Sequence, residues 1–473
     1  MIKLISILLV TFLCIGCYKD KGNYQIDMPI APEVSGLDTL YEAFVGDSLV
    51  IAPQIKGLDR QNLQCEWRID VPEALDTDDN QYEGESLRIV FGLQAKRYRA
   101  RLTVTNTANG MKYFHSFIIQ GRTEFSKGTL VLSDDQGTTK LSFIKEDGTV
   151  QPNIYEAINR EQLPASPLGI FFLSNQFTGN TPLAYWIISK TDGVRLDVNN
   201  LKKEEIKPGT LQDNFFLAPS TIDVGSIVNH PQGVMMGIVN GKFYGGTTST
   251  WDQSNTYGMF GTYAEGDYEL SPQFVMSTVN GSYSMIAFEK NKKQFVRINV
   301  YGAPTYFGSQ YTSINPEVFN PANVGLDLLK IVQINNSDTY AFMKDGTGQV
   351  FELKFNVNFN GPFTFTSGHK RVFQHPEWIH ENTPLVATRN GNIYMAVQNK
   401  VYRYNPINQQ TSLLEASFSG TVTLLKVDDD DNTLIVGADN GLHYLDVQAG
   451  KNGNLIKKIS GIPGQPIDVA SRK

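Results

Sequence analysis

Residues 98–105 alternate strictly, with Tyr98, Ala100, Leu102 and Val104 set between Arg99, Arg101 and Thr103. A period of two predicts a strand with one buried face. Leu63, Cys65, Trp67 and Ile69 alternate in the same way. With further candidate strands at 48–52, 86–90 and 112–119, they predict a small β-sandwich over residues 32–121. Asn109-Gly110 lies between the last two strands and suits the positive φ angles of a tight hairpin. Trp67, on a middle strand, is expected to fill the space between the sheets.

Beyond Arg122 the pattern changes. An apolar strand, a turn rich in Asp, Asn and Gly, and a second apolar strand recur at 130–144, 184–198, 234–246, 284–299, 339–355, 392–405 and 433–447. These seven hairpins are spaced by roughly 40 to 55 residues, which fits four-stranded propeller blades. Residues 122–473 are therefore expected to form a β-propeller of about seven blades, six or eight being the alternatives. Closure removes the sheet edges that an open row of hairpins would expose. The end segment 466–471 is expected to pair with the start of the repeats. Stacked sandwiches are the competing architecture. Residues 152–162 are the best short helix.

The N-terminus carries a different signal. Lys3 precedes an apolar run, 4–13, which stops at Gly16-Cys17 before polar sequence. The run is too short to span a bilayer but suits the hydrophobic region of a secretory signal. A small residue directly before Cys17 suits a lipoprotein signal peptidase. Residues 1–16 would then be the signal and Cys17 the lipidated first residue. Cys14 is the poorer candidate, because Leu13 before it is bulky. Polar residues 17–31 read as a tether.

Composition adds limits. Aromatics make up 11% of the chain and 41 residues are glycine, which agrees with β structure. Net charge is −7, and removal of Lys3 with the signal leaves −8. A mildly acidic chain without basic blocks argues against nucleic acid as partner. Of three cysteines, only Cys65 would remain unmodified in the folded part. It reads as a buried, inert thiol.

CYKDKGNY after the signal, then an Ig-like module, then Asp/Gly-turn repeats, resembles the PKD-like lipoproteins of Bacteroidetes. The sharpest marks are Cys17, 20–24 (DKGNY) and the terminal Ile467-Asp-Val469. The module lacks both a disulfide and the PKD family's usual WDFGDG run. The resemblance implies an outer-membrane lipoprotein beside a SusC/SusD-like importer, with an accessory role in nutrient capture. Cell-surface exposure is the expectation, with the periplasmic face as the alternative, since Tyr18-Lys19-Asp20-Lys21 holds one acid between two lysines where many such surface lipoproteins carry an acidic export signal. No cofactor or catalytic activity is implied.

Candidate chemistry is sparse. Ser133, Asp135, Gly137 and Thr139 approach the Asp-box of sialidase-type propellers, a turn stabiliser remote from catalysis. His375 and His380 flank Pro376-Glu377 without the helical spacing of a zinc site. The run 428–431, four aspartates, lacks the alternating ligands of a calcium loop and reads as a solvated turn. No metal site and no catalytic residue is assigned. The better candidates are aromatic loops, 247–268, 301–311 and 369–380. From these, Trp251, Tyr257, Phe260, Tyr263, Tyr306, Phe307 and Trp378 are the candidate contacts for a glycan, a peptide or the transporter pair. The alternative is that such aromatics fill gaps between blades.

The sequence thus points to an all-β, lipid-anchored, non-enzymatic binding protein. Two other readings stay open, a propeller hydrolase acting on glycans or proteins and a structural scaffold.

Overall fold

The computed structural model describes residues 31–71, 80–252, 254–277, 284–300, 303–359 and 361–472. Cys17, Tyr301 and the tether up to residue 30 lie outside them. The chain divides into two compact units, residues 1–122 and 123–473.

The first unit is a sandwich, with nine strands among the described residues. These are β1 (Glu33–Ser35), β2 (Leu40–Phe44), β3 (Ser48–Ile51), β4 (Gln54–Lys56), β5 (Leu63–Asp70), β6 (Gln81–Glu83), β7 (Leu87–Val90), β8 (Arg97–Asn106) and β9 (Met111–Arg122). A five-stranded sheet has the order β2-β9-β8-β5-β6, and β3 pairs with β7 and β1 with β4. The alternation read from sequence sets which face is buried. Cys65, Trp67, Ile69, Tyr98, Ala100, Leu102 and Val104 share one core with Leu49, Ile51 and Leu87 of the small sheet. Trp67 is fully buried, donates its indole N–H to the Gly84 carbonyl at 2.8 Å and meets the edge of Phe117. Burial first, and the Glu85 carboxylate second, push the Cys65 thiol up to about 11. The β8–β9 connection is not a two-residue Asn-Gly turn. Asn106 pairs with Met111, so four residues form the loop, and of these Gly110 has a positive φ. The Asn109 side chain instead accepts the Met111 N–H at 3.0 Å.

The second unit is a ring of seven sheets, counted among the described residues. Blade 1 holds β10 (Gly128–Asp135), β11 (Thr138–Ile144) and β12 (Val150–Gln151), followed by a short helix α1 (Ile154–Asn159). Blade 2 is β13 (Pro167–Asn175), β14 (Thr181–Ser189) and β15 (Gly193–Leu196). Blade 3 is β16 (Val224–His230), β17 (Val234–Val239) and β18 (Lys242–Gly245). Blade 4 runs through β19 (Leu270–Met276), β20 (Ser284–Glu289), β21 (Gln294–Asn299) and β22 (Thr305–Gly308). In blade 5 the edge strand β23 (Thr312–Ile314) precedes β24 (Asp327–Asn335), β25 (Asp338–Lys344), β26 (Val350–Asn358) and β27 (Thr364–Val372). Blade 6 is β28 (Leu385–Ala387), β29 (Ile393–Val397), β30 (Lys400–Asn405) and β31 (Gln410–Leu413). Blade 7 is β32 (Leu424–Val427), β33 (Thr433–Ala438), β34 (Gly441–Asp446) and β35 (Asn454–Ser460).

The last strand, β36 (Gln465–Arg472), pairs antiparallel with β10 and so completes blade 1. The inner strands touch in the cycle β36-β13-β16-β19-β24-β28-β32-β36. Each of the seven hairpins read from sequence supplies the second and third strands of its blade. Their first strands are apolar on both faces; β17 and β20 are buried at every residue. The reason is that each blade is covered on two sides. Seven apolar clusters fill the seven gaps between adjacent blades, the last joining Leu424, Ile435 and Leu442 of blade 7 to Val131, Ile144 and Val469 of blade 1.

Closure has its own polar fastening. Asp468 on β36 accepts the Ile170 N–H of blade 2 at 3.0 Å and pairs with Lys426 of blade 7 at 2.7 Å. This residue is the centre of the Ile467-Asp-Val469 mark. The Asp-box-like run serves the same junction. Buried Ser133 donates its hydroxyl to the Pro463 carbonyl at 2.5 Å. Asp134, and not Asp135, accepts the Gly137 N–H at 2.7 Å. Gly464 approaches so closely that a Cβ would lie 2.3 Å from the Asp134 carbonyl oxygen.

Asp468→Ala should therefore weaken the ring by about 2–3 kcal/mol, since it strands the Ile170 N–H and leaves Lys426 with only the Val469 carbonyl. Asp468→Asn should lose less, because an amide oxygen can still accept. Urea midpoints of the full chain measure both, and an unshifted midpoint for the alanine variant would refute the fastening.

Candidate functional site

The aromatic candidates do not form one site. Phe260 is fully buried, packs on Phe215 and Tyr244, and pairs its backbone with Phe215 and Gly246. It is a core residue and cannot touch a ligand, which corrects the expectation. Tyr306 stacks on Tyr268 at 4.3 Å, and the Lys242 ammonium lies over Tyr268. Tyr263 meets the edge of Tyr244 in the same neighbourhood. The Arg297 guanidinium covers Phe307 at 4.8 Å. Trp378 is held between His375 at 3.8 Å and Tyr402 at 4.2 Å, both stacked. These aromatics are largely used by their neighbours.

Trp251 and Tyr257 are brought together. The segment after β18 leaves the sheet at Gly246 and returns at Phe260, closed by Thr247 N–H to Met259 O and Gly258 N–H to Thr247 O. A turn from Trp251 to Ser254 forms its tip, with the Ser254 N–H donated to the Trp251 carbonyl at 2.8 Å. Trp251 is 83% exposed. Beside it opens a cavity of about 250 Å³, walled by Asn175, Phe177 and Thr178 from the β13–β14 tip, Gln232 from the β16–β17 turn, and Trp251, Asp252 and Tyr257. Phe177 is 62% exposed and is the second aromatic at this mouth.

Hydrogen bonds fix the polar wall. Asp252 Oδ2 accepts from Asn175 Nδ2 at 3.1 Å and from the Thr178 hydroxyl at 2.9 Å. Lys207 donates to the Asp252 carbonyl at 3.1 Å. The Tyr257 hydroxyl donates to the Gln232 carbonyl at 2.6 Å. Burial, and then the Asp252 carboxylate, push this phenol up to about 12, so it stays a donor at neutral pH. Two aromatic faces beside a carboxylate, amides and hydroxyls can stack on an apolar ring face and bond its hydroxyl groups.

Asn175, Phe177, Thr178, Gln232 and Asp252 were not singled out from sequence. The stretch 175–181 (NQFTGNT) has the composition used to choose the other aromatic loops, and Phe177 could have been found by it. Gln232 and Asp252 carry no such signal.

A second polar cluster joins blades 5 and 6. The fully buried Glu352 carboxylate accepts from Arg371 at 2.6 Å, His369 at 2.8 Å and the Tyr404 hydroxyl. Burial and this carboxylate hold the Tyr404 phenol well above its ordinary value. The buried carboxylate is already spent on three partners inside the protein, so the cluster reads as a fastening between blades. In the four-aspartate turn, Asp430 caps the Asn432 and Thr433 N–H groups and Asp431 accepts from Arg389 N–H. Among the described residues, no group of three or more His, Cys, Asp or Glu is placed to hold a metal.

Residues 17–167 match the PKD-like family. No curated protein matches the chain. Among solved structures, it is similar to a quinonprotein alcohol dehydrogenase-like protein from Bacteroides thetaiotaomicron, at 13% identity and TM-score 0.41 over 93% of this chain and 99% of that one. A functionally unknown protein from Desulfotomaculum acetoxidans is similar at 13% identity and TM-score 0.44, over 73% and 98%. The β-propeller domain of Cps50 from Myceliophteria thermophila is similar at 10% identity and TM-score 0.36, over 63% and 87%. Nothing about activity follows from likenesses this distant.

The Gln232 wall depends on a neutral histidine. Burial holds the His230 imidazole below its ordinary value, and its Nδ1 accepts the Gln232 N–H at 3.3 Å. A depressed histidine stabilises the fold above the unfolded value of about 6.5, and that contribution disappears as pH falls through the folded value. Thermal midpoints should fall on acidification from about pH 7 to about pH 5, and fall less steeply in His230→Gln. Equal slopes would show that His230 contributes nothing.

Proposed function

We propose that this protein is a lipid-anchored, non-enzymatic accessory of a SusC/SusD-like importer at the outer membrane, binding glycans through the pocket beside Trp251. The observation that carries the reading is the pocket itself. Its cavity of about 250 Å³ is below the usual size for a drug-like ligand and suits one sugar unit of a chain that continues outside. Trp251 and Phe177 supply the flat faces, Asp252, Thr178 and Gln232 supply hydroxyl partners, and buried Asn175 holds Asp252 in place. Among the described lining residues Asp252 is the one carboxylate, whereas glycoside hydrolysis works with a pair. That favours capture over turnover.

The anchor rests on the sequence. The apolar run 4–13 ending at Gly16-Cys17 supports acylation of Cys17, and no described helix is long and apolar enough to cross a membrane. Tethering raises the local concentration of a weak site at the transporter and so strengthens capture without new contacts. The resemblance around 17–24 supports the importer as partner.

Trp251→Ala should lower affinity for a bound oligosaccharide about tenfold or more, by loss of the stacking face. Its exposure means the fold should be unchanged within about 0.5 kcal/mol. Calorimetry on a panel of neutral oligosaccharides measures this; equal affinity in the two proteins would overturn the site. Separately, mass spectrometry should find Cys17 acylated, and pull-down from native outer membrane should recover a channel and its lid. An unmodified N-terminus or the absence of both partners would refute the anchored-accessory reading while leaving the pocket intact.

A further inference from the structure

The outer face of the sandwich's five-stranded sheet carries a charge pattern that the fold does not need. Arg68 on β5, Arg101 on β8 and Ser116 on β9 stand in one row across three strands. Asp70, Arg99 and Ile118 form the next row. Two arginines, Arg68 and Arg101, thus face each other directly, and like charges so placed destabilise a sheet. In a chain of net charge −7, these residues line a concavity of about 720 Å³ with three arginines against one aspartate, a formal +2.

Among the described residues, the internal partners do not use this charge up. Arg68 reaches Asp70 at 3.4 Å. Arg101 lies over Phe114 at 5.0 Å, which engages its face, and its buried Nε has no hydrogen-bond partner. Among the described residues, Arg99 has no carboxylate within 4.0 Å, and it is exposed at the rim. Ser116 adds a hydroxyl at the end of the arginine row. The volume falls in the usual range for small-ligand sites.

We propose that this face binds a small ligand carrying a multiply charged oxyanion group, a di- or triphosphate, sulfate ester or clustered carboxylates. Guanidinium forks fit such groups with paired hydrogen bonds, and three of them around one concavity fit several oxygens at once. The site belongs to the first unit and uses none of the residues of the Trp251 pocket, so it stands or falls independently.

The test uses the full chain in a buffer of constant ionic strength. Calorimetric titration with pyrophosphate and with citrate should each show one saturable site, or one of the two should, which would distinguish phosphate from carboxylate chemistry. Arg99→Gln with Arg101→Gln should weaken that binding about tenfold or more. Arg99→Lys with Arg101→Lys keeps the charge but loses the forks, and should recover binding in part. Circular dichroism and a thermal midpoint no lower than that of the wild type verify that each variant is folded. Equal affinity in wild type and the glutamine variant would overturn the proposal, as would no saturable binding of either anion. Binding of poly-glutamate alone would also overturn it, since the face would then dock an acidic protein surface and not a small ligand.

Discussion

The ring depends on one constraint: its last strand must become the innermost strand of its first blade. Strands β10 to β12 cannot complete blade 1 without β36, and Val469 of that strand is part of the apolar filling between blades 7 and 1. Asp468 enforces the position as well as the pairing. It contacts blade 2 through Ile170 and blade 7 through Lys426, so a strand slipped by one residue would turn this carboxylate away and bring an apolar neighbour to both partners. Thr423 adds a bond to the Pro466 carbonyl at 2.6 Å. Each inter-blade cluster is then sealed on both sides, and the apolar hairpins have no open face left.

Much of this was legible. The hairpins 130–144 through 433–447 became the middle strands of seven blades, because strands covered on both sides must be apolar throughout. The turns that join them announce themselves where both central residues take positive φ, as at Asn240-Gly241 and Asp439-Asn440. The inner strands were much less visible. β28 and β32 are three and four residues long, and their pairing is set by the ring and not by a local pattern. Edge strands such as β1, β4 and β6 in the sandwich are three residues long, too short for any alternation to stand out.

The site was legible only in part, for a similar reason. Exposure cannot be read from an aromatic residue alone. Phe260 and Trp251 sit in one Gly- and Ser-rich loop, yet one closes a core and the other stands in solvent. The difference is whether the residue falls where the loop returns to the sheet or at the turn it makes outside. Trp378 shows a third fate, a loop aromatic held by two flanking rings. Composition selects all three and distinguishes none.

The pocket beside Trp251 is assembled from parts that the chain keeps far apart. Asn175 and Thr178 come from a hairpin tip of blade 2, while Gln232 and Asp252 come from a turn and a loop of blade 3. The Asn175 and Thr178 bonds to Asp252 span more than seventy residues. They form only when the two blades are already packed through Trp186, Met235 and Tyr244. The polar wall is therefore a product of the apolar interface beneath it. Any ligand that bonds this wall would bind the closed ring better than an opened one, and would stabilise it accordingly.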